Sequence, residues 1–274
     1  MLPRRRASGS LAPHASLTAI VAASLCLAGS AAAAEDVLDP EVTFDASFAR
    51  TGPVNLLPEG VAARVNGDRV TATTWAGYDG AKHVPLLTLA VDARIVGRLV
   101  LVVGGGYTGD MPGSPPALRP QVGLRAQLLD QSKHGIDGGV AVMYRQDLFS
   151  TEGGFFQGAI AVERRAGRIR MLGNVLYGQD GEGDDRDGEA RKAALFEARP
   201  GLLVGLDSRY RRALWSTDPN RFVRDRPEYE LVAGPTASYA HGSWAVMAET
   251  GLSTVRTTTT QTGLIALAGL SSCF

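Results

Sequence analysis

The sequence predicts an all-β fold, an antiparallel up-and-down transmembrane β-barrel of twelve strands, with ten as the alternative count. Three observations predict it. Polar and apolar residues alternate with period two through much of residues 69–274, the rhythm of a two-faced strand. The alternating runs are mostly about ten residues long, enough for a tilted strand to cross a bilayer. The connections alternate strictly between short and long, as in barrels whose hairpins are tight on one side of the membrane and extended on the other. No run after residue 34 is apolar for the roughly 18 residues that a membrane helix needs.

Residues 1–34 precede the fold. Arg4, Arg5 and Arg6 form a basic start, Leu17 to Ala28 an apolar run, and Gly29 to Ala34 a small-residue stretch with an A-x-A pattern before Glu35. That order reads as a cleaved secretory signal peptide, with an uncleaved anchor as the alternative. Cys26 leaves with it, because Leu25 stands where a lipoprotein signal wants a small residue. The leader carries three Arg and no acid, so the mature chain has 25 bases against 28 acids, no basic footprint for nucleic acid. Cys273 remains alone and cannot form an internal disulfide. Residues 35–68 alternate briefly at Val42-Thr43-Phe44-Asp45 before Pro53, Pro58 and several glycines intervene. They read as an arm, a plug inside the lumen, or an extra strand.

The strands are expected at 69–78, 85–95, 98–107, 118–129, 136–146, 155–164, 167–177, 191–198, 202–211, 228–239, 243–253 and 263–274. The clearest is 118–129, where Leu118, Pro120, Val122, Leu124, Ala126 and Leu128 oppose Arg119, Gln121, Gly123, Arg125 and Gln127. In 228–239, Tyr229 and Tyr239 close the two ends of one apolar face, as aromatic girdles at two interfaces would. The tight turns are Val96-Gly97, Asp130–Gly135, Arg165-Ala166, Arg199–Gly201 and Ala240–Gly242; the long connections are 79–84, 108–117, 147–154, 178–190, 212–227 and 254–262. Splitting 191–211 at Pro200-Gly201 restores this parity, and strand 69–78 rests chiefly on Trp75 and Tyr78.

The final strand, GLIALAGLSSCF, places Leu264, Ala266, Ala268, Leu270, Ser272 and Phe274 on one face and ends on the aromatic Phe274. It resembles the C-terminal signal of the bacterial outer-membrane β-barrel superfamily, porin-like members included. The resemblance implies that Leu264, Leu270 and Phe274 are read by the barrel-assembly machinery. It also implies an outer-membrane location with the outer-membrane lipid as partner; the even strand count and the alternation of loops place both chain ends on the periplasmic side, so that residues 35–68 read as a periplasmic arm or a plug. The competing fold is an exported soluble β-sandwich, against which the polar face carries too many arginines and glutamates for a dry inter-sheet core.

In a barrel the polar face lines the lumen. The candidates are Asp92, Arg94, Arg119, Gln121, Arg125, Gln127, Arg145, Glu163, Arg170, Asn174, Asp207, Arg209, Glu228, Glu230 and Glu249. They read either as a polar pore or as a salt-bridged, largely filled interior, since so small a barrel has limited room. The acidic stretch 180–189, DGEGDDRDGE, matches no calcium-loop spacing and reads as a solvated external loop. Loop 212–227 carries Arg212, Arg221, Arg224 and Arg226 with Trp215 and Phe222, suited to lipid phosphates or to pairing with the acidic loop. No metal or cofactor set is evident. The functional expectation is a non-enzymatic barrel, a narrow channel for small solutes or a structural and interaction protein. The alternative is an outer-membrane hydrolase of lipid or peptide, for which His83 beside Asp79 is the candidate base; no G-x-S-x-G is present.

Overall fold

The computed structural model describes residues 60–65, 70–109, 116–146, 148, 154–181, 185–216 and 227–274. The leader 1–34, most of 35–68, Glu182, Asp184, Arg221, Phe222, Arg224 and Arg226 lie outside the described residues. Among those described, twelve strands run in chain order: β1 Val70–Asp79, β2 Val84–Val96, β3 Leu99–Thr108, β4 Ala117–Leu129, β5 Asp137–Arg145, β6 Phe155–Ala166, β7 Ile169–Asp180, β8 Asp185–Arg199, β9 Leu202–Ser216, β10 Tyr229–His241, β11 Trp244–Arg256 and β12 Thr260–Cys273. Each pairs antiparallel with its sequence neighbours, and β1 closes on β12 in the register Thr71↔Cys273 to Asp79↔Ile265. Closure satisfies both backbone edges, which a sandwich leaves open. The two-sheet alternative is therefore excluded.

The short connections explain why the strands reverse where they do. Gly97-Arg98, Gly167-Arg168 and Gly242-Ser243 put the positive φ at the first loop residue (φ 52, 53 and 57), which matches a type II′ hairpin. Pro200-Gly201 puts it second (φ 84), as a type II turn does, and this turn separates β8 from β9. The fifth connection contains a one-turn helix, α1 Gln131–His134. Asp130 caps it, accepting from the Ser132 amide at 3.0 Å and the Ser132 hydroxyl at 2.7 Å, and Arg98 approaches at 2.8 Å. These donors and the arginine hold the exposed Asp130 carboxyl below its ordinary range, the Ser132 hydroxyl foremost.

Three expected loops prove partly strand. β8 begins at Asp185, β9 runs on to Ser216, and β12 begins at Thr260. The acidic stretch is thus not simply a solvated loop. From Asp185 its residues pair with β7 and β9, and Asp187 and Glu189 face the interior.

Outward-facing residues are apolar along the body of the barrel, as Leu89, Val122, Leu124, Val142, Ile160, Leu206, Leu252 and Leu264 show. Aromatic residues collect at two levels. Tyr78, Tyr107, Phe156, Tyr177 and Tyr210 stand toward the long-loop end, and Phe196, Tyr239, Trp244 and Phe274 toward the short-turn end. Tyr144 packs on Phe156 with centroids 5.0 Å apart, and Tyr239 meets Trp244 edge-on at 6.2 Å.

Candidate functional site

The site is the barrel interior, and alternation builds it. On β4 the odd residues Arg119, Gln121, Arg125 and Gln127 turn inward while Leu118, Val122, Leu124 and Leu128 turn out. The same parity on β8, β9 and β10 brings charges of both signs to one stretch of inner wall. Glu189 pairs with Arg191, Asp187 with Arg211, and Glu230 with both Arg209 and Lys82, the last at 2.6 Å. A second cluster lies nearer the short turns. There Glu163, almost fully buried, accepts from Arg165 Nε at 2.9 Å and from Arg170 Nη2 at 3.0 Å. Asp137 beside it accepts from Gln127 at 3.1 Å and from the Gln131 amide at 3.0 Å. Inside a low-dielectric wall each such carboxylate needs a cation or several donors, or burial would be strongly unfavourable.

Residues 60–65 lie against this inner wall. The Val61 amide donates to Asn174 Oδ1 at 2.6 Å and the Val65 amide to Gln127 Oε1 at 2.9 Å. Arg125 donates to the carbonyls of Ala62 at 3.2 Å and Arg64 at 2.8 Å, and its other nitrogen reaches Asp92 at 2.7 Å. Val61 and Ala63 pack on Ala141, Met143, Ala159, Ala161 and Leu176. The wall makes room with a glycine: a Cβ added at Gly139 would stand 2.9 Å from the Ala63 carbonyl oxygen, inside contact distance. Burial and the neighbouring Arg165 lower the Arg64 guanidinium to about 10, so it stays protonated at neutral pH.

A cavity of about 150 Å³ opens beside this segment. Gly60, Val61 and Ala62 line it on one side, while Lys82, Tyr107, Thr108, Arg119 and Arg145 line it toward the long-loop end. Among the described residues its wall carries seven cations (Lys82, Arg119, Arg125, Arg145, Arg191, Arg209, Arg211) and four carboxylates (Asp92, Asp187, Glu189, Glu230).

The remaining sequence candidates fall as follows. Asp92, Gln121, Arg119, Arg125, Arg145, Arg209 and Glu230 share this cavity. Asp207 and Glu249 meet around a separate void of about 20 Å³ with Arg191 and Arg209. Glu163, Arg170, Gln127 and Asn174 belong to the lower wall. Arg94 is half-buried on the face of Asp92, and Glu228 stands at the rim, 3.2 Å from Arg256. Leu264, Leu270 and Phe274 point outward. Sequence reasoning missed Lys82, Asp137, Arg165, Asp187, Glu189, Arg191 and Arg211. Extending the inward parity of Arg209 two residues on, and that of Arg191 two and four residues back, would have found Arg211, Glu189 and Asp187.

One expectation needs correction. The inner face is not uniformly polar. Trp75, Ala193, Leu195, Leu203, Val232, Met247, Ile265 and Leu267 form an apolar cluster inside the barrel, on β1 and β8–β12. On β12 both faces are apolar, so Ile265 and Leu267 fill the interior while Leu264 and Leu270 face out. A hydrolytic centre at His83 finds no geometric support. Asp79 is fully buried and caps its own turn, accepting from the amides of Ala81 (2.9 Å) and Lys82 (3.2 Å) and from Ser253 (3.1 Å), while His83 is exposed. No group of three or more His, Cys, Asp or Glu arranged for a metal occurs among the described residues.

No protein-family model matches the chain, and no curated protein matches it. Solved structures do. The NanC porin is similar over 74% of this chain and 100% of its own, with 11% identity and a TM-score of 0.52. The KdgM porin is similar over 74% of this chain and 99% of its own, with 9% identity and a TM-score of 0.52. Likeness at that identity speaks to architecture: the closed twelve-strand barrel of this chain is similar in fold to these porins.

Proposed function

We propose that this protein is a non-enzymatic outer-membrane channel of narrow bore for small solutes. The carrying observation is its inverted partition: an apolar, aromatic-bounded exterior surrounds an interior lined with charge. A soluble protein would expose the charges and bury the leucines; only a lipid surround makes this arrangement favourable. The long loops then face outward and the short turns the periplasm. Gly60–Val65 act as a lumenal plug that narrows the passage, held by Arg125, Gln127 and Asn174. The excess of cations over carboxylates on the cavity wall favours small anions, because charge of one sign in a low-dielectric passage concentrates the opposite ion. The decisive experiment is conductance of purified protein in a planar bilayer under a salt gradient. Small unitary steps with a reversal potential on the anion side are expected. A silent bilayer containing correctly inserted barrel, or a cation-side potential, would overturn the reading.

A further inference from the structure

Outward-facing positions of β7–β10 form horizontal rows through the strand register. One row is Val175, Ala190, Tyr210 and Leu231; toward the long-loop end the next is Tyr177, Gly188, Arg212 and Tyr229; toward the short turns the next is Gly173, Lys192, Ser208 and Ala233. Lys192 therefore sits on the apolar exterior, one row inside the tyrosine level, and is exposed. Arg212 stands between Tyr177 and Tyr229, and Arg186, exposed as well, pairs in register with Gln179 above it. Neither Lys192, Arg186 nor Arg212 has a carboxylate or hydrogen-bond partner among the described residues. Arg256, an outward cation elsewhere at this level, is by contrast paired with Glu228.

A bare ammonium one row into hydrocarbon is unfavourable, and the lysine stem relieves this by reaching toward the headgroups. A row shift is two residues, about 5 Å of depth on a tilted strand, so the extended side chain brings its charge to the level of Tyr210. It arrives beside the small residues Gly173 and Ala190, which leave a shallow groove; Gly188 in the row above lies buried under the Leu214 side chain, which bounds the groove toward the long loops. Tyr210 and Tyr229, ring centroids 6.4 Å apart, form one side of it.

Resting on the outer-membrane reading above, we propose that Lys192, Arg212 and Arg186 form a binding site for the phosphate of an acylated anionic lipid of the outer leaflet, its chains lying along Met171, Ala194 and Leu206, the row below Lys192. Two arginine forks and a lysine point charge suit a phosphate ester, and the apolar wall below suits acyl chains, so a lipid fits where free phosphate would not.

The test is native mass spectrometry of the full-length protein in detergent, with bisphosphorylated lipid A and, separately, its dephosphorylated form. One retained phosphorylated lipid per barrel is expected. Retention should fall at least tenfold in Lys192→Gln/Arg212→Gln, and remain unchanged in Arg256→Gln. Excess inorganic phosphate should not compete. Equal retention of the two lipid forms, retention unaffected by the double substitution, or displacement by inorganic phosphate would each overturn the site. Heat-modifiable migration of every variant is checked first. A barrel that is intact but indifferent to the lipid phosphate refutes this site alone, whereas a protein that never needs detergent refutes the membrane reading itself.

Discussion

Replacing Arg125 by alanine should loosen residues 60–65 and enlarge the conducting path. Among the polar contacts that hold the segment are the Asn174 and Gln127 acceptors for the Val61 and Val65 amides, and two guanidinium bonds to the carbonyls of Ala62 and Arg64. Neutral bonds contribute about 0.5–1.5 kcal/mol each and charged donors about 1.5–3 kcal/mol. Arg125→Ala removes both charged ones, so the seated state loses about 3–6 kcal/mol against an unseated state in which the carbonyls find water. At about 1.4 kcal/mol per tenfold, the seated population shifts by a hundredfold or more. Asp92 loses its partner as well, but it is partly exposed and can hydrate. The assay combines single-channel conductance with thiol alkylation of Ala62→Cys in a Cys273→Ser background. Position 62 is buried in the wild type and should react slowly there. With Arg125→Ala, conductance and alkylation should rise together, and Arg125→Lys should fall between. Unchanged conductance and unchanged protection in an intact barrel would refute the reasoning.

Three further outcomes are expected. Gly139→Ala should unseat the same segment by sterics, because a Cβ there stands 2.9 Å from the Ala63 carbonyl oxygen and only 3.2 Å from that of Ala126 in the wall, and conductance should rise in barrels that still show heat-modifiable migration. Glu163→Gln leaves Arg165 and Arg170 facing each other without their shared carboxylate; breaking such a buried pair costs about 3–5 kcal/mol, visible as a lower temperature for loss of the compact gel form. The Asp130 cap contributes stability that is present above the ordinary aspartate range, near about 3.9, and is lost as pH falls through its depressed value. Amide exchange at Ser132 to Gly135, corrected for intrinsic rates, should therefore lose protection only below that range, and Asp130→Ala should lose it at all pH values.

Much of the architecture was legible because a strand between lipid and lumen must alternate, and alternation survives in the residues. All twelve runs correspond to strands, and Pro200-Gly201, the uncertain division, is a turn because only glycine readily takes the φ of 84 found there. Boundaries were harder where polar strand resembles polar loop. Asp185–Glu189 carries glycine and acids, as a loop would, yet Asp187 is matched by Arg211 of β9 and Glu189 by Arg191 of its own strand, so the run becomes legible only when the strand parity is carried into it. The apolar interior cluster escaped for the opposite reason: on β12, and at Val232, both faces are apolar, so parity loses its contrast. The seating of residues 60–65 depends on side chains from strands between roughly 60 and 113 residues away, contacts that composition and periodicity do not encode.

The most direct test of the membrane barrel is fractionation followed by heat modifiability. Mature protein is extracted from outer membranes and run on a denaturing gel with and without boiling. Retention through salt and carbonate washes, release by detergent, and faster migration of the unboiled form are the predicted result. Release without detergent, with identical migration either way, would contradict it.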